Sequence, residues 1–292
     1  MTPRFADKLA DAIDRAGTPL CVGLDPVLER LPDGIDRRDA SAALDSFCAG
    51  VIDAVAGVVP AVKPQSACFE RHGSAGVAAL ERVIGRAREA GLVVLLDVKR
   101  GDIGPTARHY AAAAAGLGAD AVTVNPYMGT PAVEASLEAG LGVFALVRTS
   151  NPEGDAVQSL LLERGGSVAD RVASLVAGVG RRAIGGRGLS DVGAVVGATR
   201  AGEGPTLRGR MPDQVFLVPG LGAQGGSARD VRSMIRPGAR RPGEMGVLAS
   251  SSRSVIYAWE EGAGGREWID AVRSAADRAA ADVRDALLDP DR

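Results

Sequence analysis

The chain has 292 residues, 46% of them hydrophobic and 24% charged, the balance of a soluble globular protein with a sizeable core in one or two domains. A formal net charge of −2 provides no bulk basic field for a nucleic-acid polymer, and 3% aromatic residues leave little for base-stacking platforms. The opening MTPRFADKLADAID carries acids and lacks the apolar core of a signal peptide, and no run of about 18 apolar residues occurs, so a cytoplasmic chain without a membrane span is expected.

The segment FADKLADAIDRAG (5–17) predicts a helix that stops at Gly17. The first apolar run, PLCVGLD (19–25), follows, then a loop, LERLPDGIDRRD (28–39), and a helix over SAALDSFCAGVIDAVAG. VVPAVK (58–63) is the second run; the helix AGVAALERVIGRAREAG after it stops at Gly91. LVVLLDVK (92–99) precedes the Ala-rich helix TARHYAAAAAGLG, and AVTVN (121–125) precedes TPAVEASLEAG, where Thr130 and Pro131 read as Ncap and N1. GVFALVRTS (142–150) leads to the helix SVADRVASLVAGVGRRA. VGAVVGAT (192–199) leads to a polar Gly/Pro-rich segment (200–214) that predicts a loop with a short helix. VFLVPGLG (215–222) leads to GSARDVRSMI and then to RPGARRPGEM (236–245), which reads as a mobile or exposed basic connector. GVLASSS (246–252) is the eighth run, and REWIDAVRSAADRAAADVRDALL closes the chain.

Continuous Val/Leu runs suit parallel strands buried on both faces. Strand then helix, eight times, predicts an α/β fold, a single (β/α)8 TIM barrel spanning 1–292 as one domain; a doubly wound open sheet is the alternative. In such a barrel the active site lies at the C-terminal ends of the strands. Those ends are Asp25, Lys63, Asp97 with Lys99, Asn125, Thr149 with Ser150, Pro219 through Gln224, and Ser252 with Arg253.

Most of these admit a plain structural reading beside a functional one. Asp25 or Lys63 alone could cap a turn or pair with a neighbour, and Arg253 alone could be a surface arginine. PGLGAQGG has the form GxGxxG, but on a seventh strand without an acidic ribose partner it fits a single-phosphate nest better than a dinucleotide site. Arg253 would lie beside that nest, since phosphate sites in these barrels form after strands seven and eight. The tripeptide Arg100-Gly101-Asp102 is not read as an adhesion motif. Cys21, Cys48 and Cys68 lack CxxC spacing, and His72 and His109 form no HExxH, so reduced thiols and no metal site are expected.

The stretch LLDVKRGDIGPT (95–106) is the sharper case. Asp97 and Lys99 stand two apart and share the inward face of a strand, where Lys63 can join them from the neighbour. Alternating Lys-Asp-Lys-Asp holds charges out of water because each has an opposite neighbour. The arrangement costs desolvation that an apolar set would avoid, which favours a catalytic role.

DVKRGDIGPT fits the Asp-x-Lys-x-x-Asp-Ile-x-x-Thr signature of the orotidine 5′-monophosphate decarboxylases. LCVGLDP, AVKPQ, TVNPYMG, RTSNP, VVGAT, FLVPGLGAQGG and SSSRSVIYA resemble that family's other blocks, in its order and over nearly the whole chain, with KRGDI marking its longer bacterial class. The resemblance implies conversion of orotidine 5′-monophosphate to UMP and CO2, the last step of de novo UMP synthesis, without metal or organic cofactor, in a homodimer with shared active sites. It implies that Asp25 binds the ribose hydroxyls, that Lys63 contacts the ribose and orients the cluster, that Asp97 sits against the substrate carboxylate, and that Lys99 protonates C6. Asp102 and Thr106 would reach into the neighbouring subunit's site. Ser150 would bind the pyrimidine, Pro219 would line its pocket, and Gln224 and Arg253 would hold the phosphate. Closure over the site would fall to the Gln224 loop and to the segment 236–245. Two rivals stand beside this reading. One is a magnesium-dependent sugar-phosphate lyase sharing Asp-x-Lys-x-x-Asp; the other is a barrel that binds a nucleotide monophosphate without turnover.

Overall fold

The computed structural model describes residues 4–221, 227–261 and 267–288. Its eight strands are β1 (Leu20–Leu24), β2 (Ala61–Pro64), β3 (Val93–Arg100), β4 (Ala121–Val124), β5 (Gly142–Arg148), β6 (Ser190–Val196), β7 (Gln214–Pro219) and β8 (Val247–Ser251). Each pairs in parallel with the next, and β8 pairs with β1, so the sheet closes into a (β/α)8 barrel. The open-sheet alternative is thereby removed. The described helices are α1 (Phe5–Ala16), α2 (Ala40–Val55), α3 (Ser66–Glu70), α4 (Gly73–Glu89), α5 (Gly104–Gly116) and α6 (Pro131–Glu138). They continue with α7 (Asp155–Gln158), α8 (Val168–Gly180), α9 (Gly204–Arg210), α10 (Ala228–Arg232), α11 (Arg253–Ile256) and α12 (Glu267–Leu288).

Side chains alternate across each strand, so the strands serve two cores. Outward residues such as Val22, Val62, Val94, Val122, Val143 and Val192 pack beneath the helices. Inward residues such as Cys21, Ala61, Val93, Leu95, Phe144 and Leu217 fill the barrel and meet Phe5, Leu9 and Ile13 of α1. Helix α1 therefore plugs the end where the strands begin. Its Ala6 amide donates to Asp191 at 2.9 Å and its Lys8 to Asp120 at 2.6 Å. Phe5 meets Phe144 edge-on with centroids 5.9 Å apart, and a Cβ at Gly142 would fall 2.0 Å from the Phe5 ring. The helix ends where expected: Gly17 takes φ 68°, which L side chains avoid, and donates to the Ile13 carbonyl.

Of three local expectations, two hold and one changes. Thr130 takes the Ncap position of α6 with Pro131 at N1, although its side chain makes no cap bond; capping boxes form at Ser167 with Asp170 before α8 and at Ser227 with Asp230 before α10. Segment 200–214 holds the expected short helix, α9, entered directly from a 3-10 turn, Ala198–Glu203. Segment 236–245 is fastened rather than loose. Arg236 bonds the carbonyls of Met245 (through its amide) and Pro212, and the Gly243 amide donates to Asp14 of α1 at 2.8 Å. Because it lies between a helix and the strand it feeds, it sits at the end plugged by α1. It cannot close over a site at the opposite end, and that expectation is overturned.

Candidate active site

Inward alternation continues past the filled interior, and near the C-terminal ends it changes from apolar to charged and hydroxylic residues. There a cavity of about 510 Å³ opens. Asp25, Lys63, Asp97, Lys99, Ser150, Pro219 and Arg253 line it, together with Gln65, Thr123 and Ser252. Seven of the ten anticipated residues thus meet in one cavity. Asp102 and Thr106 lie outside the lining, both half-buried, Asp102 just beyond β3 and Thr106 in the first turn of α5; the Asp102 carboxylate accepts the Ile103 amide. Gln224 and most of its glycine-rich loop lie outside the described residues.

Asp97 is the centre of the site. One carboxylate oxygen accepts Lys63 Nζ at 2.7 Å and Gln65 Nε2 at 3.2 Å; the other accepts Lys99 Nζ at 2.6 Å and Thr123 Oγ1 at 2.7 Å. Four donors fill the acceptor sites of one carboxylate. Burial alone would push this carboxyl up, but Lys63 and Lys99 more than offset it and hold it well below the usual carboxylate range. For Lys63, burial pulls the ammonium down, and the carboxylates of Asp97 and Asp25 outweigh it and hold it above its ordinary value. Lys63 therefore stands as a cation on an ionised acid, and Lys99 shares that acid's other oxygen. The Asp25 Oδ1 atom is buried without a hydrogen-bond partner, poised beside the cavity. Gly23 admits Ser252 beside it, since a Cβ there would fall 1.9 Å from Ser252 Oγ.

The wall carrying Ser150 is held from behind. Arg148, 3% exposed, reaches Glu203 and Asp155; Arg200 bonds Asp155 and the carbonyls of Thr149 and Asn151. Thr199 donates to the Ser150 carbonyl at 2.9 Å. Gln65, Thr123 and this arginine network were not anticipated from the sequence. Inward parity could have flagged Thr123 and Gln65, both in step with Lys63 and Asp97. Asn125, by contrast, serves a turn: its side chain accepts the Tyr127 amide. Arg100 pairs with Glu70 and stacks over Tyr110, away from the cavity. Cys21 and Cys48 are buried and Cys68 half-buried, all unbridged; burial pushes the Cys21 thiol up to about 12, which makes it inert. Among the described residues no group of three or more His, Cys, Asp or Glu is placed to hold a metal, and no helix is long and apolar enough to cross a membrane.

Residues 18–258 match the model of the "Orotidine 5'-phosphate decarboxylase / HUMPS" family. An orotidine 5′-phosphate decarboxylase of Rhodopirellula baltica is 43% identical over 295 aligned residues, covering 93% of this chain and 96% of its own. One from Salinispora tropica is 44% identical, covering 97% and 98%. Among solved structures, OMP decarboxylase of Leishmania donovani superposes with a TM-score of 0.78 at 30% identity, covering 98% of this chain and 99% of its own.

Proposed function

The chain belongs to the orotidine 5′-phosphate decarboxylase / HUMPS family, and on that premise we propose that it carries the decarboxylase chemistry: orotidine 5′-monophosphate to UMP and CO2, the last step of de novo UMP synthesis. The observation that carries the reading is the buried carboxylate of Asp97 shared by two lysines in a cavity lined by charged and hydroxylic side chains.

In the proposed reaction the bond from C6 to the carboxylate breaks and its electron pair stays on C6. Lys99 Nζ supplies the proton that forms the new C6–H bond, and CO2 departs. No electron leaves the substrate, so no oxidant or reductant enters the balance. A cation placed where negative charge develops stabilises the transition state more than the ground state. Asp97 holds Lys99 in place, and Lys63 keeps Asp97 ionised. Asp25 and Lys63 take the ribose, Ser150 and Pro219 the pyrimidine, and Gln224 and Arg253 the phosphate. The phosphate is remote from C6, so its binding energy can be spent on excluding water from the site, which strengthens the inner charges.

The same reading makes the protein a cytoplasmic homodimer working without a cofactor. Asp102 and Thr106 are not among the residues lining their own cavity, which leaves them available to a partner's site. The loops beside them expose Ile103 (56%), Tyr127 (83%), Met128 (52%) and, beyond β5, Leu161 (85%), an apolar surface at the cavity end that a second copy can cover.

The direct test follows the ultraviolet absorbance of orotidine 5′-monophosphate with purified protein, with and without EDTA. Rapid, EDTA-insensitive formation of UMP is expected. Absence of conversion by folded protein, or conversion that EDTA abolishes, overturns the proposal.

A further inference from the structure

The parallel ladder between β3 and β4 is broken at the site. Leu96 pairs with Val122 and Arg100 with Val124, so Asp97, Val98 and Lys99 all stand opposite the single residue Thr123. Such a bulge leaves backbone amides without ladder partners. Here one side chain replaces the missing ladder: Thr123 Oγ1 accepts the amides of both Val98, at 3.0 Å, and Lys99, at 2.9 Å. The same hydroxyl donates its proton to Asp97 at 2.7 Å. Its one hydrogen and two lone pairs are all used, and Thr123 is 1% exposed.

The backbone it holds is strained. Lys99 has φ 47°, the sole positive φ at a non-glycine residue among the described residues. A lysine gains nothing by itself from the left-handed region, and such a conformation persists only where its surroundings impose it. Its consequence is visible in the side chains: Val98 packs into the outer core, while Lys99 turns inward to reach the Asp97 oxygen that Thr123 also holds.

We propose that Thr123 is a positioning residue of the reaction, whose hydroxyl fixes the bulge and the Asp97 oxygen together and so aims Lys99 Nζ at the reacting carbon. The inference rests on the decarboxylase reading for its kinetic consequence and on the hydrogen bonds alone for its structural one. Thr123→Val preserves shape and removes the hydroxyl; Thr123→Ser keeps the hydroxyl and removes the methyl.

The experiment measures kcat, KM and UMP binding for the wild type and both variants, with amide hydrogen exchange at Val98 and Lys99. For Thr123→Val, kcat is expected to fall about 100-fold or more, the loss typical of a misplaced catalytic group, while UMP affinity stays within about threefold. Exchange at the two amides should quicken at least about tenfold, since both lose their acceptor. Thr123→Ser should recover kcat to within about fivefold of wild type and keep both amides protected. A near-normal kcat in Thr123→Val, or a loss of UMP binding equal to the loss of kcat, overturns the inference. If Thr123→Val does not fold, Thr123→Cys takes its place. Its weaker acceptor should leave kcat at least about tenfold below the serine variant, and equality with serine overturns the inference. An inactive wild type would sink the decarboxylase reading alone, and unchanged exchange in the valine variant would then sink the inference separately.

Discussion

Lys63 donates to Asp97 at 2.7 Å where their side chains are 8% and 6% exposed, so the innermost ion pair of the site is nearly shut off from solvent. Each charge there is tolerable only because of the other. Asp97→Asn removes the negative partner and leaves Lys63 facing Lys99 with Asp25 as the remaining acid nearby. The variant should lose about 3–5 kcal/mol of stability, the range for a buried pair that loses one partner, and denaturant unfolding at neutral pH measures it. An unchanged midpoint would show that Lys63 does not depend on Asp97 for its charge.

The same pair fixes a pH window. The Asp97 carboxyl is held below its ordinary value, so its contribution is complete above the unfolded pKa of about 4 and is lost as pH falls through the lower folded one. Lys63 is held above its ordinary value, so its contribution is complete below the unfolded pKa of about 10.4 and is lost as pH rises through the higher folded one. The stability gap between the wild type and Asp97→Asn should therefore be full just above about pH 4, narrow below it as Asp97 takes up a proton, and narrow on the alkaline side as the buried Lys63 of the variant sheds its proton before that of the wild type. Unfolding midpoints across that range check the shape, and a gap that widens toward either extreme would contradict it.

Lys99 differs from Lys63 in exposure: its side chain is 45% accessible and lines the cavity mouth. Lys99→Ala should therefore leave the fold and UMP binding intact while turnover falls by at least about 1,000-fold, the scale of a lost proton donor and charge. Steady-state rates paired with UMP titration decide it, and a rate near wild type would remove Lys99 from the mechanism.

If Asp102 serves the neighbouring subunit, two dead variants should rescue each other. Mixing Lys99→Ala with Asp102→Ala yields hybrid dimers in which one site has both residues and the other neither, so random exchange should restore about a quarter of the wild-type sites. No recovery after subunit exchange has been verified by mass would place Asp102 outside the shared site.

The barrel and most of the site were legible because they obey simple periods. Eight apolar runs, each ending in polar groups, located the strand ends, and parity along β3 placed Asp97 and Lys99 on one face. Parity gave the right face for an incomplete reason: the bulge and the left-handed Lys99 intervene between the two residues. Thr123 escaped notice because a threonine in a valine run reads as an ordinary strand former; its use as a backbone acceptor depends on a register break that no local pattern encodes. Arg148 escaped for a related reason, since its acids come from separate segments, Asp155 from the start of α7 and Glu203 from the 3-10 turn before α9. Segment 236–245 misled by composition, because its partner Asp14 lies at the other end of the sequence.

Two glycines of one region separate a steric requirement from mere flexibility. A Cβ at Gly197 would sit 2.5 Å from Ser150 Cα and 2.7 Å from its Cβ, whereas a Cβ at Gly202 meets nothing within 4 Å. Neither has a positive φ, so the comparison isolates contact from backbone strain. Gly197→Ala must push the Ser150 segment aside, and that segment is pinned by Thr199 and Arg200 and cannot yield freely. The variant should lose about 1–3 kcal/mol of stability through overpacking. Its kcat/KM for orotidine 5′-monophosphate should fall about 10- to 100-fold, because a pyrimidine contact displaced by a few tenths of an ångström is shared by ground and transition states. Gly202→Ala should match the wild type in both measurements. Equal behaviour of the two alanine variants would mean that the β5 loop moves as freely as open surface, and Ser150 would then lose its claim to hold the ring in a fixed place.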